Sequence, residues 1–263
     1  MSTANPADDP SRRADNYPPL NGQKMVGPLR PNYAAIKMVI EWPVALACFL
    51  IAAPVMTICM LLVRCTSPGP VLYRQTRLGR GGRAYDMLKI RTMTHNCEAT
   101  TGAIWSGPMD RRVTRIGRFL RDTHLDELPQ LWHVVRCEMS LIGPRPERPE
   151  LVARIERVLP RYRDRLQIRP GLTGFAQIQH TADLSLDHVR RKLMYDLYYV
   201  REMSLWLDLR IAIGTGFYFL GMTLRAIGKL AVRSHGHVVE KVIENEEPLQ
   251  VEDEEKFQLR ATG

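Results

Sequence analysis

The feature that most limits this chain is an uncharged run from Trp42 to Val63, WPVALACFLIAAPVMTICMLLV. As a helix its 22 residues reach roughly 33 Å, enough to cross the hydrocarbon layer of a bilayer. Two features complicate a simple crossing. Pro54 stands near the middle, where its missing N–H and its ring disturb a helix and push Ala53 away from helical geometry. Positive charge also flanks both ends, with Lys24, Arg30 and Lys37 before the run and Arg64, Arg74, Arg77 and Arg80 after it. The rule that basic residues stay inside therefore gives no orientation for a single pass. A spanning helix and a re-entrant helix-break-helix both remain open at this point. A cleaved signal peptide fits poorly, because the run is too long and starts too far from the N-terminus.

The rest of the chain reads as one moderate domain with appendages. Residues 1 to about 32 are rich in Pro, Asn, Asp and Arg without apolar period, and are expected to form a disordered leader. The segment SPGPVLYRQTRLGRGGRAYDMLKIRTM brackets short β-prone runs with turn signals and predicts a small hairpin. From Arg115 the pattern turns helical, with Ile116, Phe119 and Leu120 on one face and Leu125, Leu128, Leu131 and Trp132 on another. Two helices joined near Asp122 to His124 fit. Gly143-Pro144-Arg145-Pro146 and Arg169-Pro170-Gly171 mark loops, and a helix is expected over about Leu186 to Val200. The uncharged stretch Ile211 to Leu224 is short for a span and suits an interfacial or a core helix. From about Val239 the chain is acidic and polar.

The 37 basic against 28 acidic residues give +9, which favours anionic partners without choosing among nucleotide phosphates, lipid headgroups and nucleic acid. The five cysteines form no C-x-x-C pair, and Cys48, Cys59 and Cys65 lie in or beside the apolar run. They read as reduced thiols rather than a disulfide framework or zinc site.

Three groups of residues carry chemistry. Asp126 and Glu127 follow an arginine-rich segment and precede Pro129, a pattern that places both carboxylates at the positive end of a helix starting near Leu125. Adjacent acids are common in first turns, so the pair by itself decides little. Arg145 sits in a Gly-Pro-Arg-Pro turn, where flanking prolines present a guanidinium able to bind phosphate oxygens through two hydrogen bonds. Lys89 and Arg91 alternate along LKIRTM and would project from one strand face.

Several long motifs in order then resemble the bacterial sugar transferase family, the monotopic phosphoglycosyl transferases that start glycoconjugate or exopolysaccharide assembly. The resemblance covers about Tyr33 to Gly236: the proline-broken apolar segment, the LKIRTM strand, TRIGRFLRDTHLDELPQLWHVVRCEMSLIGPRPE, IRPGLTGFAQI and KLMYDLYYVREMSLWLDLRI. It implies an α+β, mostly helical fold with a re-entrant membrane helix over 33–64, a small β-hairpin and amphipathic interfacial helices, a catalytic domain over 65–236 and an acidic tail over 237–263. It also implies transfer of a sugar 1-phosphate from a UDP-sugar to polyprenyl (undecaprenyl) phosphate with release of UMP, at the cytoplasmic face of the bacterial inner membrane.

By that resemblance Asp126 is the nucleophile that forms a covalent phosphosugar intermediate and a ligand of Mg²⁺. Glu127 assists the acceptor or holds the site's protonation state, and Lys89, Arg91, Arg121 and Arg145 stand near phosphates. The partners implied are the two substrates and the bilayer. A metal-dependent glycosyltransferase that transfers the sugar without its phosphate is disfavoured by the lack of a D-x-D motif and of a βαβ array, and nucleic acid by the lack of aromatic residues interleaved with the arginines. Departures from the family pattern are His133 for a frequent Asn, Cys137-Glu138 for Gly-Asp, Phe175 for Trp, and Gln179-His180 where an Arg-bearing loop often follows.

Overall fold

The structure is a computed structural model and describes residues 28, 30–97, 110–179 and 186–219. The expected leader up to residue 27, the acidic tail and the end of the Ile211 to Leu224 stretch lie outside the described residues.

The apolar run forms the centre of one long helix, α1 (Pro31–Thr66). Pro31 opens it at a position where no N–H is needed. The expected interruption at Ala53-Pro54 does not end the helix, since Pro43 and Pro54 both lie inside it. The Thr57 hydroxyl donates to the Ala53 carbonyl beside Pro54 at 2.9 Å, a side-chain bond of the kind that accompanies helix bending. Only 17% of its most apolar 18-residue window is buried, so α1 is not the core helix of a water-soluble protein. Leu50 and Ile51 are 62% and 76% exposed.

The domain beside it is α+β and mostly helical. A hairpin pairs β1 (Leu72–Leu78) antiparallel with β2 (Ala84–Ile90) in a register that sets Tyr73 opposite Lys89. Its turn contains Gly81 and Gly82 at φ +69° and +78°, backbone that glycine adopts without steric cost. Next come α2 (Arg115–Asp122), a 3₁₀ turn at Leu125–Glu127 and the short α3 (Gln130–Val135). The carboxylate pair thus sits on a 3₁₀ turn before the helix rather than in its first turn. His124, at φ +58°, reverses the chain between α2 and that turn.

Strand β3 (Ser140–Ile142) pairs in parallel with β4 (Gly171–Thr173), two three-residue strands too short to show a sequence period. Between them lie α4 (Pro149–Ile155) and a 3₁₀ stretch, Pro160–Gln167. The chain continues through α5 (Phe175–Gln179), α6 (Leu186–Glu202) and α7 (Leu205–Phe219). Tyr199 and Val200 of α6, Met203 of the link after it and Ile211 of α7 pack with Phe175 and Ile142 in the main core. Leu120 is fully buried as its period requires, but Phe119 is 54% exposed despite sharing the expected face. Trp132 is likewise exposed, where it stacks on Phe49 of α1 at 5.5 Å between ring centroids.

Helix α1 is docked on this domain near both ends. Towards its start, Lys37 bridges Glu41 at 2.8 Å and Asp208 of α7 at 2.5 Å. Glu41 in turn accepts from the Ser140 hydroxyl and the Ile142 amide of β3. Towards its end, Cys59 and Val63 pack with Ile90 and Leu120, and the Ser67 carbonyl just past the helix accepts from Arg91.

The His133 and Glu138 departures compensate one another. Nε2 of His133 accepts from the Leu88 amide of β2 at 3.0 Å, so Nδ1 carries the proton shared with Glu138 at 2.6 Å. Cys137 is not compensated: it has φ +60° where the family pattern has glycine, and L-residues there carry a steric cost of roughly 1–2 kcal/mol. Cys137→Gly should therefore raise stability by roughly 1 kcal/mol, read as a higher unfolding temperature in detergent.

Candidate active site

All six residues singled out from the sequence line one cavity of about 1360 Å³. It is walled by the hairpin, the 3₁₀ turn, the Gly-Pro-Arg-Pro loop, β4, α5 and α7. Lys89, Arg145 and Glu127 are brought into direct contact. Nζ of Lys89 lies 2.6 Å from Oε1 of Glu127, and the Arg145 guanidinium grips the same carboxylate with Nη2 at 2.6 Å and Nη1 at 3.3 Å. These charge-assisted bonds tie β2, the 3₁₀ turn and the loop after β3 to one point. Burial opposes ionisation of Glu127, but Arg145 and Lys89 outweigh it and hold the carboxyl well below its ordinary value.

Asp126 is placed differently. It is buried, yet among the described residues no group hydrogen-bonds to its carboxylate. Burial pushes its pKa up from the ordinary 3.8, while the charge of Lys89 and, more weakly, of Arg121 pulls the other way. A carboxylate beside cations that no hydrogen bond engages is placed for nucleophilic attack or metal ligation.

Arg121, on the last turn of α2, donates from Nε to the Thr92 hydroxyl at 2.8 Å. Thr92 is also where α2 closes on the end of β2: its carbonyl accepts from the Thr114 amide, and Thr114 caps the helix by accepting from the Gly117 amide. A Cβ on Gly117 would stand 1.9 Å from that same carbonyl, so only glycine permits this approach. Arg91 does not join the others. Its Nη2 donates to the Ser67 carbonyl at 2.7 Å, which makes it a brace at the exit of α1 as well as a cavity wall.

Sequence reasoning missed the residues that hold the Arg145 loop. Arg165 donates to the Arg145 carbonyl at 2.6 Å and pairs with Asp196 at 2.8 Å. Glu147 takes Lys192 at 2.8 Å and Arg77 at 3.5 Å, and these cations with Arg165 overcome burial to bring its pKa down to about 2. Arg77 also donates to the Pro146 carbonyl. No local pattern marks these residues, because their partners are far away in sequence.

The profile of the bacterial sugar transferases matches residues 32–221. The chain belongs to that family. It is 38% identical over 195 residues to the UDP-N-acetylgalactosamine-undecaprenyl-phosphate N-acetylgalactosaminephosphotransferase of Aeromonas hydrophila, covering 73% of this chain and 46% of that protein. It is 41% identical over 165 residues to a UDP-glucose:undecaprenyl-phosphate glucose-1-phosphate transferase of Caulobacter vibrioides, covering 62% and 61% of the two. An exopolysaccharide production protein of Rhizobium leguminosarum is 38% identical over 176 residues, 65% of this chain and 88% of that protein. The chain thus spans less than two thirds of the first two relatives.

Among the described residues no group of three acidic, His or Cys side chains could cage a metal. Mg²⁺ does not need such a cage, because it commonly binds through one or two carboxylates, water and substrate phosphates. The uncommitted Asp126 carboxylate fits that mode, whereas Glu127 is spent on its two cations.

The Glu127 pairing has a sign that can be checked. Its folded pKa is depressed below the ordinary 4.5, so the stability it contributes is complete above that value and lost as pH falls through the folded pKa. Glu127→Gln should cost about 1.5–3 kcal/mol at neutral pH, with the gap to wild type closing in increasingly acid solution. Thermal unfolding across pH reads this, and a gap that widens in acid would contradict the ion-pair assignment.

Proposed function

We propose that the chain is a phosphoglycosyl transferase of the bacterial inner membrane that moves a sugar 1-phosphate from a UDP-sugar onto polyprenyl phosphate, releasing UMP. The observation that carries this reading is the contrast within the carboxylate pair: Glu127 is locked between Lys89 and Arg145 while Asp126 faces the cavity uncommitted. The relatives named for this reaction support the substrate class.

In the first step an Asp126 oxygen attacks the β-phosphorus of the donor. The new Asp–O–P bond forms as the bond from that phosphorus to the bridging oxygen breaks, and UMP departs with the bridging oxygen. In the second step an oxygen of polyprenyl phosphate attacks the same phosphorus, forming the diphosphate linkage and returning Asp126 as a carboxylate. Splitting the transfer in two means that the two anionic substrates need not react directly with one another. Lys89, Arg121 and Arg145 supply the fixed positive charge that offsets repulsion between carboxylate and phosphates. Mg²⁺ held by Asp126 would add further neutralisation of phosphate charge. The acceptor phosphate is already ionised near neutral pH, so it presents no proton that must be removed. Glu127 accordingly serves to fix Lys89 and Arg145 rather than as a general base.

The docking of α1 supports a monotopic membrane arrangement. A helix that crosses the bilayer carries one end about 30 Å away from the other face. Here the first turns, through Lys37 and Glu41, and the last turns, through Cys59 and Val63, rest on the same domain. A bend near Pro54 would let α1 enter the bilayer and return, leaving the domain on the cytoplasmic side where nucleotide sugars are made. Exposed Leu205, Trp206, Leu209 and Ile213 give α7 a matching apolar outer face, as expected of an interfacial helix.

Purified protein in nanodiscs with Mg²⁺, undecaprenyl phosphate and a panel of UDP-sugars should release UMP from one donor, and Asp126→Asn should reduce that rate by more than about 10³-fold. Release of UDP, or UMP release undiminished in the variant, would sink the mechanism. The acid limb of the wild-type rate should lie above the ordinary aspartate value of 3.8, because burial raises Asp126. Lys89→Met should move that limb to still higher pH, and by more than Arg121→Gln, since Lys89 exerts the larger opposing effect. A limb that stays in place in both variants would remove Asp126 ionisation as its cause.

A further inference from the structure

The outer edge of β2 is closed by a side chain rather than by another strand. The hairpin is two-stranded, and the Arg91 amide donates to the carbonyl of Val71, just before β1. In an antiparallel register that sets Tyr73 opposite Lys89, the amides of Arg91 and Lys89 turn toward β1 and the Leu88 amide turns away. A backbone donor left there without a partner would carry a desolvation cost. Nε2 of His133 meets it at 3.0 Å. His133 is 3% exposed, so the ring fills this role in place of bulk water.

His133 belongs to α3, which continues from the turn that carries Asp126 and Glu127, and Leu88 directly precedes Lys89. The same two elements are thus joined twice, once by the Lys89–Glu127 ion pair at 2.6 Å and once by the Leu88–His133 bond. The second bond depends on which ring nitrogen carries hydrogen. A neutral imidazole has one donor and one acceptor. Glu138, 2.6 Å from Nδ1, draws the hydrogen there and leaves Nε2 its lone pair. Arg136 holds the other Glu138 oxygen at 3.1 Å, and Tyr85 of β2 sets its ring edge-on to the imidazole at 5.4 Å between centroids. A proton on Nε2 would set two donors against each other and release the Leu88 amide.

We propose that His133 is a positioning residue of the transfer site: with Nε2 kept an acceptor by Glu138, it fixes β2 at Leu88 and so holds Lys89 against Glu127 and close to Asp126. The assignment rests on the transferase reading above and goes beyond it by giving His133 and Glu138, which do not line the cavity, a part in the reaction. Both stand where the family pattern frequently has other residues, so the arrangement is a feature of this chain. Its effect on the chemistry passes through Lys89, whose charge is the strongest of those favouring ionised Asp126.

The test separates the bond from the fold. His133→Phe keeps a ring and loses the acceptor, whereas His133→Gln offers an amide oxygen at similar reach that does not titrate. Trace acetylation of the full chain in nanodiscs with acetic anhydride, mapped by mass spectrometry without substrate, reports on Lys89 directly. Glu127 opposes the burial that pulls the Lys89 amine toward its neutral, reactive form. His133→Phe should therefore raise Lys89 acetylation about tenfold, as Glu127→Gln does, while His133→Gln stays near wild type. Unchanged acetylation in His133→Phe, or an equal rise in both His133 variants, would overturn the proposal. In the rate of UMP release, His133→Phe should move the acid limb to higher pH, in the direction of Lys89→Met, and His133→Gln should restore it. Lys89→Met combined with His133→Phe should match Lys89→Met alone, because both changes act through one amine. Additive shifts would show that His133 serves the fold without acting through Lys89, and would also overturn the proposal. Glu138→Leu, which frees the tautomer, is the second variant should His133→Phe not fold, and it should shift both readouts in the same direction. Acetylation needs no turnover, so a wild type and variants that differ as expected at Lys89 but release no UMP would count against the transferase reading alone.

Discussion

The grip of Lys89 and Arg145 on Glu127 is the contact on which the arrangement of the site depends. It is made by a strand residue, a turn residue and a loop residue that have no other reason to meet. Withdrawing these charges partly from water costs desolvation energy, and that cost is offset only when each charge finds partners of good geometry. Here the carboxylate uses both oxygens on the guanidinium and one again on the ammonium. Removing Glu127 would leave both half-buried cations without this partner. The consequence for chemistry is indirect: because the cations are satisfied by Glu127, neighbouring Asp126 sits in their field without being bound to them.

The Arg145 side of that grip is itself held from behind. Arg165 fixes the loop through its carbonyl, and Glu147 is pinned by Lys192 of α6 and Arg77 of β1. The loop's prolines limit its backbone, and these bonds limit where the backbone can go. A similar logic governs α1. Lys37, Glu41 and Asp208 form a buried charged group beside a helix that is otherwise apolar, and Tyr33 and Tyr199 complete it by donating to Asp208. Such a cluster is expensive unless fully matched. It fastens the first turns of α1 to β3, the strand that leads into Arg145.

How much of this was legible in the sequence varies with the range of the interaction. The hairpin, α2 and α6 follow from local turn residues and periodicity, and each lies close to where the pattern puts it. The six cavity residues came from motif order, which is itself a record of a shared site. What local reasoning misplaced was decided by tertiary contact. Asp126 and Glu127 fit the start of a helix by charge, but His124 in the left-handed region closes a 3₁₀ turn first. Phe119 has the period of a core residue and is exposed because α2 packs through the backbone at Gly117 instead. The β3 and β4 pairing could not be read at all, since three residues per strand carry no alternation, and the partners are brought together by the chain between them.

That pairing also fixes how closely the backbones around the cavity approach. Gly143, Gly171 and Gly174 let the backbones of β3, β4 and the start of α5 approach so closely that a Cβ on any of them would fall between 2.0 and 2.6 Å from main-chain atoms. The strands can therefore be short and still rigid, and they carry no bulky side chain at the seam. On one side of the seam the chain turns into the Gly-Pro-Arg-Pro loop and its charge; on the other it presents Leu141 and Leu172 toward α7. A single tight backbone junction thus holds the charged loop at Arg145 and the cavity wall at Leu141 and Leu172 in one rigid unit.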